Sequence, residues 1–350
     1  MKKLLLISLS LILIVTMLAG CNQPEDVVEQ PQNEQTSQPE TDNGFPTKNI
    51  SGIVQWGAGG GTDSLMRPLA SIAEEKLGVS IVVENRTGGT GSIATQYVHD
   101  ADADGYTLLM GAENPQLYTM LEIIDLTYAD FKPVFLIGDE AVGVIVPADS
   151  EYESFTDIIN AALENPGEIT ISTTGTGGLP WTVSSFINSV TGATFNQVPY
   201  DSDASAKTAV MSGETTFTVA KVQAAIEDHK AGNVKFLTMF SNEIVPSLPE
   251  VPLVGEEYPE FNNFLPWGPF YGIFVKNGTP ESVIEVLSSA FEEAFQDESY
   301  QELLSGFNIN PLGYTGDEAV EYLKSWQLNT AEALYESGAI TKSPEELGIK

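Results

Sequence analysis

The residues of this chain best suited to chemistry form a glycine-rich loop. Four glycines occupy five positions in Gly57-Ala58-Gly59-Gly60-Gly61, between a β-branched run at 50–54 and a helical pattern that begins at Ser64. A backbone without Cβ atoms lets a ligand approach the main chain closely. The first amides of a helix have no intrahelical acceptor and lie at the positive end of its dipole, which favours an anion. The pattern predicts an anion site built from main chain, or else a tight turn that only packs the helix on the strand.

Two other glycine-loop chemistries do not fit this segment. The dinucleotide fingerprint G-x-G-x-x-G/A fails because the sixth position counted from Gly57 is Thr62. The phosphate-binding P-loop requires Lys and then Ser or Thr after its last glycine, whereas Thr62 and Asp63 follow Gly61. This loop therefore matches neither nucleotide-binding motif.

A second glycine-rich loop follows a predicted strand at 169–173. Thr174-Gly175-Thr176-Gly177-Gly178 precedes a helical pattern in which Pro180 takes an early position that proline tolerates. If the two loops belong to different lobes, both face one cleft. The alternative is two unrelated turns.

The elements that position these loops alternate along the chain. Apolar runs predict strands, and helical periodicity predicts helices between them. The predicted strands are 50–54, 81–84, 107–111, 141–146, 169–173, 194–198, 215–220, 234–239 and 272–275. The predicted helices are 63–77, 92–99, 154–164, 179–190, 205–211, 280–295, 299–305 and 315–337. This alternation predicts an α/β fold with helices on both sheet faces, in which ligands bind beyond the carboxyl ends of the strands.

The N-terminus predicts export. Lys2 and Lys3 precede an apolar run at 4–17, too short for a membrane span of ~20 residues. Leu18-Ala19-Gly20-Cys21 resembles a bacterial lipobox, so residues 1–20 are predicted to be a lipoprotein signal peptide and Cys21 the lipidated residue. Cys21 is the only cysteine, which leaves no disulfide and no thiolate metal site. Residues 21–43 are rich in Gln, Glu, Pro and Asn and are predicted to be a disordered acidic tether.

Charge and length limit the partners and the architecture. The chain has 49 acidic and 15 basic residues, a formal net charge of −34. This balance excludes nucleic acid as a partner and disfavours adhesion to anionic lipid headgroups. An anionic ligand would have to be held by local groups against the overall field. Residues 44–350 exceed a typical domain of ~100–150 residues, which predicts two lobes.

Six segments carry a family resemblance. They are Phe45-Pro46-Thr47-Lys48, Ala58-Gly59-Gly60-Gly61-Thr62-Asp63 with Arg67, Val83-Glu84-Asn85-Arg86-Thr87-Gly88-Gly89, Asp104-Gly105-Tyr106-Thr107-Leu108-Leu109, Val198-Pro199-Tyr200 and Gly278-Thr279-Pro280-Glu281. In this order they resemble the substrate-binding proteins of tripartite tricarboxylate transporters, the TctC or Bug family, over residues 44–337. The resemblance implies a two-lobed periplasmic-binding-protein-like (type II) α/β fold with a ligand cleft between the lobes. It places lobe 1 at 44–142 plus 268–342, lobe 2 at 143–267 and a C-terminal tail at 343–350.

The same resemblance implies a function. The protein would be a monomeric solute-binding lipoprotein without a cofactor, held on the outer face of the cell membrane or in the periplasm by its lipid anchor alone. It would capture a small carboxylate of the tricarboxylate or dicarboxylate type and deliver it to the integral-membrane subunits of the transporter. The ligand-binding residues implied are Trp56, Ala58, Gly59, Gly60, Gly61, Thr62, Asp63, Ala112, Thr174, Gly175, Thr176, Gly177, Tyr200 and Lys221.

Two segments depart from the family pattern. Val219-Ala220-Lys221 stands where members commonly have Phe-Asp-Asn, and Tyr200-Asp201-Ser202 where many have Tyr-Lys-Gly. The loss of an acid at Ala220 and the gain of Lys221 favour a ligand without an amine and with an additional carboxylate. The alternative is that Lys221 points to solvent.

The two arginines and the two histidines are predicted to have structural roles. Arg67 lies four residues after Asp63 on a helix, the spacing of an ion pair. Arg86, in a turn, is expected to brace its loop through main-chain carbonyls. His99 and His229 have no partners at metal-ligand spacing, so no metal site is predicted.

Enzyme motifs are absent from the sequence. The chain has no G-x-S-x-G, no H-E-x-x-H and no cysteine nucleophile in its mature part. The alternatives to a binding protein are a membrane-tethered hydrolase that uses paired carboxylates, as glycosidases do, and a structural lipoprotein.

Overall fold

Eleven strands and ten α-helices build the part of the chain that the structure, a computed structural model, describes: residues 44–200, 202–265 and 267–350. The strands are β1 (Ile50–Val54), β2 (Ile81–Asn85), β3 (Thr107–Ala112), β4 (Phe131–Glu140), β5 (Val142–Pro147), β6 (Thr170–Thr173), β7 (Asn196–Pro199), β8 (Thr218–Lys221), β9 (Val234–Phe240), β10 (Phe270–Lys276) and β11 (Ile309–Tyr314). The helices are α1 (Gly61–Leu77), α2 (Ser92–Asp100), α3 (Phe155–Glu164), α4 (Leu179–Thr191), α5 (Asp203–Met211), α6 (Val222–Lys230), α7 (Val254–Glu257), α8 (Glu281–Phe295), α9 (Glu298–Gly306) and α10 (Gly316–Glu336). The predicted signal peptide, Cys21 and the tether lie outside the described residues.

The largest sheet has six strands in the order β11-β4-β10-β3-β1-β2. β1 runs parallel to β2 and β3, whereas β10 runs antiparallel to both β3 and β4. Ile53 and Leu109 pack toward α2 and α10, and their neighbours Val54 and Met110 pack toward α1, α8 and α9. This alternation follows from the two-residue period of a strand. It confirms the predicted α/β fold with helices on both faces.

Two smaller sheets, β8-β5-β9 and β6-β7, form the second half of the structure together with α3–α6. Ala141 alone separates β4 in the large sheet from β5 in a small one. The chain returns to the large sheet at β10, and α10 packs against both β4 and α4. Sheet membership therefore resembles the predicted division at about residues 142 and 268, and the lobe boundaries themselves stay a prediction.

Nine predicted strands and eight predicted helices are present, with ends shifted by a few residues. The prediction missed β4, β11, α6 and the short α7. In the segment 343–350, which was predicted to be a tail, the side chain of Ile349 is buried with 9% exposure. Within the described residues, no helix combines the length and the apolar character that a membrane span needs.

Candidate ligand-binding site

The first glycine loop is a tight turn that ends at the N-terminus of α1. The Gly60 N–H donates to the Gly57 carbonyl at 3.1 Å, and Gly59 has a φ of +77°. This is the pattern of a type II turn, which needs a positive φ at its third residue. The Ser64 N–H is the first to bond back to the turn, at 2.9 Å to the Gly60 carbonyl. Among the described residues the N–H groups of Gly61, Thr62 and Asp63 have no protein acceptor.

Asp63 holds this loop in place from inside. Its Oδ2 accepts from the Gly59 N–H at 2.9 Å, and its Oδ1 accepts from Arg67 Nε and Asn85 Nδ2, each at 2.8 Å. Burial by itself raises the pKa of Asp63, but these hydrogen bonds outweigh it and the pKa lies below its ordinary value. The predicted Asp63–Arg67 ion pair is confirmed. One carboxylate oxygen is thus engaged by the loop and the other by Arg67 and Asn85, so Asp63 braces the loop against α1 and β2.

The second glycine loop repeats this geometry in the other half of the structure. The Gly178 N–H donates to the Gly175 carbonyl at 3.1 Å, and Gly177 has a φ of +80°. The residue before each helix has nearly the same backbone angles, φ −73° and ψ 168° at Gly60 and φ −73° and ψ 159° at Gly178. Leu179 and Trp181 begin α4 with N–H groups that have no acceptor in the described chain. Two equivalent anion-favouring turns therefore exist, one in each half.

Contacts across the structure bring the two turns to one region. A Cβ on Gly61 would lie 3.3 Å from the Tyr271 hydroxyl and 3.7 Å from Gln223 Oε1, and Gln223 belongs to α6 of the second half. Leu179, beside the second turn, lines a small pocket together with Lys221. A Cβ on Gly177 would meet Leu121, of the first half, at 2.7 Å. Each turn therefore lies beside groups of the other half, and the cleft that the two turns would share stays a prediction.

Glu140 lies between the two halves at this cleft. Its Oε2 accepts from the Tyr271 hydroxyl at 2.9 Å, and its Oε1 accepts from the Gln223 N–H at 3.2 Å. The side chain is 1% exposed. Burial raises the pKa of Glu140 to about 7, although Lys221 and the two hydrogen bonds oppose the rise.

Lys221 is partly buried, and its side chain extends toward Tyr271. It ends β8 opposite Val142, and its Nζ lies 5.7 Å from the centre of the Tyr271 ring. Burial alone would lower its pKa, but Tyr271, Asp203, Glu140 and Glu113 hold the pKa above its ordinary value. Lys221 is therefore a cation at neutral pH, and no hydrogen bond or ion pair to it occurs within the described residues.

Glu113 is a site residue that the sequence reasoning did not select. It directly follows β3, next to the carboxyl end of β1, so it stands at the level of the first turn. It is 8% exposed, and its Oε2 is buried without a hydrogen-bond partner in the described structure. Burial raises the pKa of Glu113, with Lys221 as the main opposing charge. An acid immediately after a predicted strand was the available signal.

Other predicted site residues serve the framework. The Trp56 carbonyl accepts from Asn85 Nδ2 at 2.8 Å. Ala112 donates its N–H to Gln55 Oε1 at 2.8 Å and accepts from the Tyr128 hydroxyl at 2.6 Å, so its backbone is satisfied. These two residues carry the neighbouring loops, and the protein itself satisfies the Trp56 carbonyl and the N–H and carbonyl of Ala112.

The remaining predicted residues border the turns. Ala58 and Thr176 are the exposed second residues of the two turns, and Thr174 packs its hydroxyl side against Gly178. The Tyr200 N–H bonds the Thr173 carbonyl at 2.8 Å. Burial and the neighbouring Glu214 raise the pKa of the Tyr200 phenol, whose hydroxyl is buried without a hydrogen-bond partner in the described structure.

Arg86 and the histidines lie outside the cleft chemistry. Arg86 pairs with Glu84 at 3.0 Å and stacks 3.5 Å over the Tyr97 ring, so it braces its turn through a carboxylate and a ring and not through carbonyls. His99 and His229 each lie beside an acid and a phenylalanine ring. No group of three metal-ligating side chains occurs in the described part of the chain.

Fold and site together define a class of protein. Two α/β halves joined through crossovers, each with a matching glycine turn at a helix N-terminus, are the architecture of a two-lobed solute-binding protein. Solved structures share the fold: Rpa4515 of R. palustris, solved with adipate, aligns with a TM-score of 0.75 at 23% identity over 84% of this chain and 98% of its own. MatC (Rpa3494) from Rhodopseudomonas palustris, with bound malate, aligns with a TM-score of 0.71 at 20% identity over 84% of this chain and all of its own.

Sequence comparison identifies the family. The family model described as the tripartite tricarboxylate transporter family receptor, TctC, matches residues 65–336, and the chain belongs to this family. Protein BugT of Bordetella pertussis is 27% identical over 303 residues, which cover 85% of this chain and 92% of BugT. The chain is thus a solute-binding protein of the TctC or Bug type, as its sequence motifs predicted.

Proposed function

We propose that this protein captures a small carboxylate of the dicarboxylate or tricarboxylate type and delivers it to the membrane subunits of a tripartite tricarboxylate transporter. One observation carries the proposal: the same turn occurs in each half, and in the described structure each presents unpartnered N–H groups at a helix N-terminus. Main-chain donors at helix N-termini favour carboxylate oxygens.

The local groups are strong enough to oppose the overall charge of −34. A hydrogen bond to a charged group contributes ~1.5–3 kcal/mol, so a few such bonds outweigh a screened long-range repulsion. Lys221 adds a partly buried cation near the same turns. Its charge supports a ligand with more than one carboxylate, such as the adipate and malate in the two structural neighbours.

The two-lobed arrangement supports binding by closure without turnover. A carboxylate that touches both turns has a higher affinity for the closed arrangement and shifts the equilibrium toward it. Ala141, between β4 and β5, and the segment before β10 are the positions where the lobes can rotate. The closed lobes would be the form that the membrane subunits recognise.

Export and anchoring complete the proposal. Cys21 would carry the lipid that holds a monomeric protein on the outer face of the membrane or in the periplasm. Two acyl chains bind a bilayer stably, whereas one binds only marginally.

A thermal-shift screen followed by calorimetry tests the function. The screen contains adipate, malate, succinate and citrate, with methyl esters of the same acids as controls that keep the carbon skeleton but remove the charges. We expect stabilisation by at least one acid and none by its ester. Absence of binding by every acid would refute the function, and hydrolysis of a chromogenic glycoside would indicate the alternative enzyme.

A further inference from the structure

Two buried acids, Glu140 and Glu113, lie within the electrostatic reach of Lys221 in the described part of the chain. We propose that the protein binds a proton from solvent together with its anionic ligand, and that Glu140 and Glu113 hold this proton. Capture is then proton-coupled: anion, carboxylate and proton combine to give the anion bound beside a neutral carboxyl group. This inference rests on the proposed function, because it concerns the same cleft.

Glu140 occupies the connection between the halves. It is the last residue of β4, one residue before the chain enters β5 at Val142. One carboxylate oxygen accepts from Tyr271 on the large sheet, and the other accepts from the N–H of Gln223 on α6. The carboxyl group therefore bonds both halves and lies behind the first turn, because Gly61 faces the same Tyr271 hydroxyl and Gln223 side chain. A change in the charge of Glu140 therefore changes the electrostatic potential at the first turn and at the connection between the halves.

Glu113 supplies the second acid. It stands at the same sheet edge as the first turn, because β3 is the neighbour of β1 and Glu113 follows β3. Its Oε2 is buried, and no donor of the described residues reaches it. An ionised carboxylate in such a place loses its hydration without compensation, so the neutral form is favoured.

The charges that face these two acids are few. Glu140 faces Lys221 and Tyr271, and Asp203 of α5 lies farther out as a repelling charge. Glu113 faces the same Lys221 and Asp203, together with the neutral phenols Tyr118, Tyr128, Tyr271 and Tyr322. Lys221 can neutralise only one of the acids. A ligand carboxylate that enters the cleft competes for Lys221 and adds a further negative charge.

The direction of the effect follows from linkage. Glu140 already titrates near pH 7 without a ligand, and an added anion raises its pKa further because like charges disfavour ionisation. The complex therefore binds more protons than the free protein. Affinity is highest below the pKa of the free form, at about 7, and falls as pH rises toward the higher pKa of the complex. Opening of the lobes rehydrates the acids, so anion and proton leave together.

Calorimetry on the unmodified protein is the first test. Malate and adipate are titrated between about pH 6.5 and 8.5, above the ordinary pKa range of carboxylic acids, so that the ligand itself stays fully ionised. Paired titrations in phosphate and Tris, whose ionisation enthalpies differ, count the protons exchanged. We expect uptake of up to one proton per ligand and a loss of affinity of up to about tenfold per pH unit.

Two isosteric variants locate the proton. Glu140→Gln and Glu113→Gln each mimic a protonated acid, and at least one should flatten the pH dependence, abolish proton uptake and raise affinity at about pH 8. Glu164→Gln, at the exposed end of α3, is the matched control and should keep the wild-type pH profile. Circular dichroism verifies that each variant is folded.

The outcomes separate this inference from the proposed function. Binding of malate or adipate with the same affinity and no proton uptake across the pH range would overturn the inference and leave the function intact. An unchanged pH profile in both glutamine variants would overturn the assignment to these residues. If neither acid nor any other carboxylate of the screen binds, the function itself fails and the inference fails with it.

Discussion

Substitution of Gly61 provides the sharpest test of where the ligand sits. A Cβ at this position would lie 3.3 Å from the Tyr271 hydroxyl and 3.7 Å from Gln223 Oε1, so Gly61→Val places two further methyl groups in the gap between the lobes. The change excludes a carboxylate from the N–H groups of α1. Loss of two such bonds at ~1.5–3 kcal/mol each weakens binding on the order of 10²- to 10⁴-fold. Gly61→Ala, which adds only the Cβ, should weaken binding less.

Gly57→Val is the matched control for this experiment. Gly57 lies in the same turn, has no positive φ, and a Cβ there meets nothing within 4 Å. We expect Kd to change by no more than about twofold, as for an exposed substitution that loses no contact. The assay is calorimetry with the best acid of the screen, and thermal melting controls for overpacking at Gly61, which costs ~1–3 kcal/mol. A folded Gly61→Val variant that binds like the wild type would refute the site.

Three further predictions concern stability and location. The pKa of Glu140 is raised from 4.5 to about 7, so its contribution to stability is fully present below pH 4.5 and is lost as pH rises through 7. From acidic to alkaline pH, the free energy of unfolding of Glu140→Gln should therefore rise by up to about 3 kcal/mol relative to that of the wild type, as measured by urea unfolding. Parallel pH curves of the two proteins would contradict this. Asp63→Asn should lower the free energy of unfolding by ~1–3 kcal/mol at neutral pH. Because the pKa of Asp63 is lowered, its contribution to stability is present above pH 3.8 and is lost as pH falls through the lower folded pKa. The free energies of unfolding of Asp63→Asn and the wild type, measured with urea, should therefore converge in acid. A constant difference between them would contradict the bracing role of Asp63. Cys21→Ala should move the protein from the membrane fraction to the soluble fraction in immunoblots, and retention in the membrane would refute lipid anchoring.

The elements that the sequence predicted are those with local signals. β1 is a β-branched run that ends at glycines, and α4 begins after glycines with an early proline. Such patterns depend on neighbours along the chain, and their boundaries agree with the structure within a few residues. Both turns were likewise visible, because only glycine adopts the positive φ of Gly59 and Gly177 without strain.

The missed strands have sequences that argue against strands. β4 contains Pro133 and Gly138, and β11 contains Pro311 and Gly313. Proline removes a ladder hydrogen bond and is rare inside a sheet. The structure tolerates Pro133 because the pairing of β4 with β10 shifts register there, and it tolerates Pro311 because β11 is an edge strand. These solutions depend on partner strands more than a hundred residues away, which periodicity does not reveal.

The sequence by itself determined the family, the α/β class and the two glycine turns, because each of these depends on residues that are consecutive along the chain. It also predicts the export signal and anion binding by the turns. Only the tertiary structure decided the charge of the cleft. Lys221 departs from the family pattern, and the sequence left open whether its side chain points toward the ligand or to solvent. Glu113 and Glu140 were two acids among 49. They meet because β3, β4 and β8 end at the same place. Burial there, which no local pattern encodes, raises the pKa of Glu113 and raises that of Glu140 to about 7.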